Sequence, residues 1–448
     1  MATPSEITAG MEDRAYRKII NAWTMYDWAN SAFATIIMAS VFQLYYTDVA
    51  AATVSWVKPT SLWGLTVTIS QILVAVTAPI LGAIADHSGT RKRLLGGFAG
   101  VGILLTVAMV SVSRGEWLWA SCLYIAGFVG WAGANIFYDS LLPHVARRGD
   151  IDQVSTRGYA MGYVGGGLLL AFNLIMIRPN LIGLESFPGI PNAEWAPRLS
   201  FVTVAIWWAV FAIPLFRRVA EPPAVVADDE SPKPLQAAFQ RLRHTLHGIR
   251  RYRQLAKFLV AFWLYNDGIG SVMQLAGSYG TDIGAEWGQI IGAILMAQFI
   301  GIPFTIAFGQ MARRLGTKRS ILLGLAVYTV VAVFGCFMKP QHFWILAFMV
   351  AMVQGGSQAL SRSLYGAMCP KARTSEFFGF YDVSSKFAGI LGPATYAGVG
   401  MLTGSSRLST LSLAAFFVGG AWLLMRVNEQ EGIRVAREED AKAANHQQ

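Results

Sequence analysis

The sequence predicts an all-α membrane protein, a bundle of twelve transmembrane helices arranged as two related six-helix halves. Three observations predict it. Of 448 residues, 54% are apolar and only 14% charged, whereas soluble chains carry about a quarter charged residues. Charge-free apolar stretches of about eighteen residues or more recur along the chain, each long enough to cross a bilayer. A motif at residues 82–92 returns at 309–319, in the matching place of each half.

Taken in order, the spans are expected at 22–47, 62–86, 94–112, 118–142, 158–178 and 199–219, then 255–278, 286–311, 319–338, 342–367, 378–401 and 409–428. The third and ninth are the clearest, with no charge between Leu94 and Val112 or between Ile321 and Met338. Polar residues interrupt the first, seventh and eleventh. They count as spans because their strong neighbours leave no room for long soluble loops. Residues 1–219 form the first half and 255–428 the second. The connector 220–254 carries four prolines, the run Asp228-Asp229-Glu230 and a basic stretch, as expected of a flexible cytoplasmic segment followed by an amphipathic surface helix. The tail 429–448 is charged and expected to be solvated. Glycines at helical spacing on spans four and five, among them Gly127, Gly130, Gly158 and Gly162, predict close helix packing. Trp56, Trp63, Trp117, Trp119 and Trp195 sit where interface anchors belong.

Orientation follows from Lys and Arg, which favour cytoplasmic loops. With both termini assigned to the cytoplasm, 29 of the 36 basic residues fall on that side, six fall outside and Lys386 lies within a span. The formal charge of +10 therefore marks loops facing an anionic leaflet rather than a nucleic-acid surface. Cys122, Cys336 and Cys369 lie in or beside apolar segments without metal-ligand spacing, and read as buried thiols. The first twenty residues show no signal-peptide core, so the first span is expected to direct insertion.

The repeated motif runs Gly82, Asp86, His87, Ser88, Gly89, Thr90, Arg91, Lys92 in one half and Gly309, Arg313, Arg314, Leu315, Gly316, Thr317, Lys318, Arg319 in the other. Each copy has two glycines seven apart, then Thr and two basic residues, on the cytoplasmic side. Tyr26-Asp27 finds a looser counterpart in Tyr265-Asn266-Asp267. Two related halves suit a protein that rocks about a central cavity.

These motifs resemble the major facilitator superfamily, whose loop between helices two and three has this order of Gly, Asp and basic residues. His87 stands where Arg or Lys is usual, and Thr90 precedes the basic pair. The resemblance implies gating roles for Gly82, Asp86, Gly89, Arg91 and Lys92, and for Gly316, Lys318 and Arg319 of the second copy. Arg313 occupies the position of Asp86 there, so that copy is not expected to form the same acidic latch. The runs 26–33, 135–143 and 158–166 are similar to the bacterial branch related to fungal autophagy-linked vacuolar effluxers. In the fungal members that branch implies export of amino acids.

Ionisable groups inside spans are costly unless they face water or a partner. Asp27 shares a helix face with Asn30, beside Tyr26; Asn135 and Asp139 share another, beside Tyr138. Asn266, Asp267 and Gln274 follow on span seven, and Asp382 and Lys386 form an i,i+4 pair on span eleven. Each is a candidate for binding substrate or a coupling proton. The alternatives are a helix-start carboxylate bonded across the bundle for Asp27, an inner-gate contact for Asp139 and a structural ion pair for Asp382. Arg362 is read as a partner of that pair or as snorkelling to the headgroups.

The resulting expectation is a secondary transporter of small polar solutes, amino acids among them, working by alternating access with proton coupling. Facilitated diffusion of a sugar, peptide or drug is the alternative on the same scaffold. An interfacial membrane enzyme is another, but the six histidines form no catalytic or metal arrangement. No phosphate-binding G-x-x-x-x-G-K-[ST] run is present, and no metal or cofactor is expected. Expected partners are membrane lipids, the solute and protons, with a monomer in the bacterial inner membrane.

Overall fold

The computed structural model describes residues 12–55, 59–147, 149–183, 185–186, 195–222, 251–285, 287–387, 389 and 391–445. Every regular element among them is helical. Spans one to six run Asp13–Ala50, Pro59–Ser88, Arg91–Ala108, Trp117–Ser140, Ile151–Ile177 and Trp195–Arg218. Spans seven to ten run Arg253–Asp282, Trp287–Leu315, Thr317–Phe337 and Phe343–Met368. Span eleven is two segments, Thr374–Phe387 and Leu391–Thr403, and span twelve is Ser406–Met425.

Among the described residues, ten helices are long and apolar enough to cross a membrane by length and composition. Span seven falls outside that set because Asn266, Asp267 and Gln274 interrupt its 30 residues. Span eleven falls outside it because it is broken, where a continuous helix over 378–401 was expected. Gly389, between the two segments, is a turn, and Pro393 has no N–H to bond back toward it. Span one is also irregular. It passes through π-helical turns at Phe33–Met38 and Tyr46–Ala50, and the Ser40 hydroxyl donates to the Thr35 carbonyl at 2.6 Å. Hydroxyl side chains that bond backward compete with the helix ladder and bend it.

Buried apolar side chains fall into two clusters, one drawn from residues between Tyr16 and Val219, the other between Tyr252 and Val427. Large apolar side chains that stay exposed, such as Leu65, Val76, Leu104, Ile206, Val330 and Val418, suit a surface solvated by lipid. Trp119 and Trp195 are exposed as interface anchors would be, but Trp63 is not: it packs edge-on to Tyr124 in the first core. Trp56 lies outside the described residues. Cys122 is exposed rather than buried, while Cys369 is buried.

Each half is tied together in the same way at the end that carries the repeated motif, called here the basic end. Lys92 Nζ donates to the carbonyls of Phe216 and Val219 at 3.2 and 2.8 Å, closing the end of span six. Lys318 Nζ donates to those of Met425 and Val427 at 2.9 and 2.7 Å, closing the end of span twelve. A cation there satisfies orphan carbonyls and the negative end of the helix dipole. The tail is not merely solvated: Glu429–Asn445 forms a helix docked on the second half, with Ala436 buried. Residues 223–250, where the connector's amphipathic helix was expected, lie outside the described residues.

Replacing either lysine with alanine should lower stability by about 1 kcal/mol, the scale of a helix-terminus charge, while leaving the halves able to move. Thermal unfolding in detergent alongside transport measures both; an unchanged melting temperature in both variants contradicts the capping role.

Candidate functional site

Toward its basic end span ten carries Ser357, Ser361, Arg362 and Ser363, all buried. Arg362 is 2% exposed and reaches out of the second half into the first. Its Nε donates to Ser155 Oγ at 3.0 Å, Nη1 to Asp139 at 2.9 Å, and Nη2 to Asp27 at 3.3 Å and the Ser155 carbonyl at 3.0 Å. Trp23, Tyr138 and Tyr159 wall the guanidinium, with its carbon 5.1, 5.8 and 4.5 Å from their ring centroids. The Tyr138 hydroxyl donates to Asp27 at 2.8 Å, and the rings of Trp23 and Tyr138 stack at 4.5 Å. An unpaired charge in such a place costs several kcal/mol, so the cation and its acids hold one another there. Two carboxylates of the first half therefore pair with one guanidinium of the second. Gly158 provides the space, since a Cβ on it would lie 2.2 Å from Asp27 Oδ2 and 2.9 Å from Arg362 Nη2.

Nearer the basic end, Asp86 is fully buried and joins the halves. It accepts from Arg91 Nε at 2.7 Å within its own half, and from the backbone N–H groups of Ser375 and Glu376 at 3.1 and 2.9 Å at the start of span eleven. Arg91 Nη2 donates to the carbonyls of Lys371 and Ala372, both at 3.3 Å. His144 Nε2 lies 3.0 Å from Arg91 Nη1 and 3.1 Å from Thr374 Oγ1. Gly82 lets the backbones meet, because a Cβ there would fall 2.2 Å from the Ser375 carbonyl oxygen.

The second copy of the motif also latches the halves, with its polarity reversed. Arg313 stands where Asp86 stands in the first copy, and the acids come from the opposing half instead. Arg313 Nη2 donates to Asp150 at 3.4 Å and Thr317 Oγ1 to Asp152 at 2.7 Å, at the start of span five. Ser363 also donates to Asp152, and Gln153 Nε2 donates to the Gly309 carbonyl at 3.1 Å. Gly89 and Gly316 both take positive φ, 61° and 89°, which favours glycine at each.

The other candidates are placed elsewhere. Asn30 donates to Asn135, a pair joining spans one and four within the first half. Tyr26 is fully buried against the Tyr138 ring at 4.8 Å. Asp267 caps the second segment of span eleven, accepting from the Gly392 N–H at 3.0 Å. Asn266 is half-buried and Gln274 exposed; the side chain of Lys386 lies outside the described residues. Lys92 and Lys318 act within their own halves, as described above, and Arg319 is exposed. Arg362 is no snorkelling residue. Six more residues, Ser363 to Met368, extend its helix toward the basic end, and that length was the available signal. Asp152, Ser155 and Tyr159 had none, being a helix-start acid, a small hydroxyl and one aromatic among many.

A family model described as vacuole effluxer Atg22 like matches residues 47–437. The chain is 35% identical over 429 residues to the uncharacterized MFS-type transporter YxiO of Bacillus subtilis, covering 95% of this chain and 99% of that one. It is 22% and 23% identical to autophagy-related protein 22 of Pyricularia oryzae and of Neurospora crassa, over 73% and 82% of this chain. It spans only 59% and 61% of those fungal proteins. In fold it is similar to the proton:xylose symporter XylE, with a TM-score of 0.70, 15% identity and coverage of 94% of this chain and 98% of that one. It is similar also to FucP in the outward conformation, with a TM-score of 0.66, 12% identity and coverage of 92% and 98%. YxiO, XylE and FucP are transporters by description, in keeping with a transporter rather than an enzyme.

Removing the central cation should unlock the basic end. In a cysteine-free background, Arg362→Ala is expected to raise the rate at which a water-soluble maleimide labels Ser140→Cys, a buried site between the halves. Losing one partner of a buried ion pair costs about 3–5 kcal/mol, so a change of about a hundredfold or more is expected. Gly158→Ala should act in the same direction but more weakly, at about 1–3 kcal/mol of overpacking. Labelling that stays at the parent rate in both variants contradicts the assignment.

Proposed function

This chain belongs to the Atg22-like vacuole effluxer family of the major facilitator superfamily, and we propose that it moves small polar solutes by alternating access, amino acids first among them, with protons coupled at the Arg362 cluster. One observation carries the reading: a single arginine of the second half holds Asp27 and Asp139 of the first. The basic end cannot open while those bonds persist. With that end assigned to the cytoplasm from the distribution of basic residues, the closed arrangement is the outward-facing one.

Two carboxylates on one guanidinium leave negative charge in excess when both are ionised. In a site of low dielectric that excess favours uptake of a proton or another cation. A proton on Asp27 or Asp139 weakens its bond to Arg362 and so loosens the gate. A zwitterion suits the same site by complementarity. Its ammonium takes the place of the guanidinium beside the acids, and its carboxylate engages the released Arg362 as a bidentate partner. Neutral sugars carry neither charge, which is why amino acids come first in the test.

Purified protein in liposomes, offered a mixed pool of labelled amino acids, is expected to accumulate at least one against its gradient when a proton gradient is imposed. Asp139→Asn should abolish the proton-driven accumulation but leave exchange of the same solute. Accumulation unaffected by collapsing the gradient and by Asp27→Asn and Asp139→Asn rules out the coupling, and no uptake from the pool rules out the substrate class.

A further inference from the structure

We propose that the C-terminal helix Glu429–Asn445 is a brake on the basic end, holding in place the turn through which the second half grips Asp86 and Arg91. The helix packs by one narrow face. Gly432 and Ala436 are buried, with Ile433, Glu439 and Asp440 beside them, while Arg434, Arg437 and Glu438 point away. Gly432 rests on the Met368 side chain at the end of span ten.

Its polar contacts reach two places within the second half. The first is the start of span seven. Gln254 Nε2 donates to Glu431 at 2.6 Å, the Asn428 N–H donates to Gln254 Oε1 at 2.9 Å, and Arg251 pairs with Glu439. The second is the turn between spans ten and eleven, where the Lys371 N–H donates to Asp440 Oδ1 at 2.7 Å. That same residue offers its carbonyl to Arg91 of the first half, and the N–H groups of Ser375 and Glu376 that bind Asp86 follow within five residues. Arg373 and Glu376 add an ion pair within the turn at 2.8 Å.

The turn is thus held from both sides, by the first half through Asp86 and Arg91 and by the tail through Asp440. When span eleven leaves span two, the turn has to move relative to one of them. The tail helix ties it to the start of span seven, so the ends of spans seven, ten and eleven shift together or not at all. Loosening the tail frees the turn to shift alone and lowers the barrier to opening. Residues past the last span then set how readily the transporter changes state, without touching the cluster at Arg362.

The proposal rests on the reading that the basic end opens and closes, and its test keeps the two separate. The full chain, cysteine-free apart from Ser140→Cys, is placed in lipid nanodiscs and labelled with a water-soluble maleimide. Asp440→Ala is expected to raise the labelling rate about tenfold, the scale of one hydrogen bond to a charged group. Asp440→Asn retains the acceptor oxygen and should return it to the parent rate. A chain ending at Asn428 should label at least as fast as Asp440→Ala. Rates that stay at the parent value in Asp440→Ala while Arg362→Ala accelerates labelling overturn the brake and leave the gate standing. A rise that Asp440→Asn does not reverse marks general loosening and also overturns it. If Arg362→Ala leaves labelling at the parent rate, gate and brake both fail.

Discussion

A guanidinium taken out of water has to find its compensating charge nearby, and Arg362 finds it on the other half of the molecule. That constraint orders much of what surrounds it. The two acids come from spans one and four, the room comes from Gly158 on span five, and three aromatic rings exclude water from the group. Burial makes the contact strong when complete and costly when half made. The halves therefore have two acceptable arrangements at this level, joined or fully parted with the charges rehydrated. A smooth slide between them would leave an ion stranded. This is the physical basis for treating the end as a gate rather than as a flexible seam.

Outside the cluster, the closures near Asp86 and Asp152 combine charged side chains with backbone groups and short hydroxyls at the starts of spans five and eleven. Hydrogen bonds to charged groups contribute about 1.5–3 kcal/mol each. They are geometrically demanding, because the close crossing at Gly82 and the turns at Gly89 and Gly316 must be in register for the donors to meet their acceptors. Lys92 and Lys318 meanwhile bind spans three and nine to the ends of spans six and twelve. The outer spans of each half form a frame, and rearrangement is concentrated where the halves touch.

The fold was legible because the bilayer enforces it: long apolar runs and one-sided basic loops follow from having lipid as a solvent. The repeat was legible because both copies keep the same glycines. Asp27 and Asp139 stood out as charges inside apolar runs. Their common partner was harder to see, since it lies 335 residues from one and 223 from the other. Pairing over such distances depends on helix phase and on how the halves dock, and neither is written in local pattern. Arg362 was misread because it lies near a helix end, where a basic residue usually reaches water. Asp267 was read as a cavity acid because its partner appears only once span eleven breaks at Gly389. The tail looked solvated because its buried stripe is short and made of small residues.

The reversed polarity of the two latches bears on how a duplicated chain could have diverged. An early transporter built from two identical six-helix units would have had to pair each unit with its own copy. Two copies of the present first half would set Asp86 against the acids Asp150 and Asp152. Two copies of the second would bring Arg313 to the turn that carries Arg373 and Glu376, which already pair with each other. Like charges brought together at an interface cost several kcal/mol, so the present first half does not fit itself in this way. Its acids are matched instead to the second half, where Arg313 stands in the place of Asp86, so one chain carrying both halves always supplies each latch with its opposite charge.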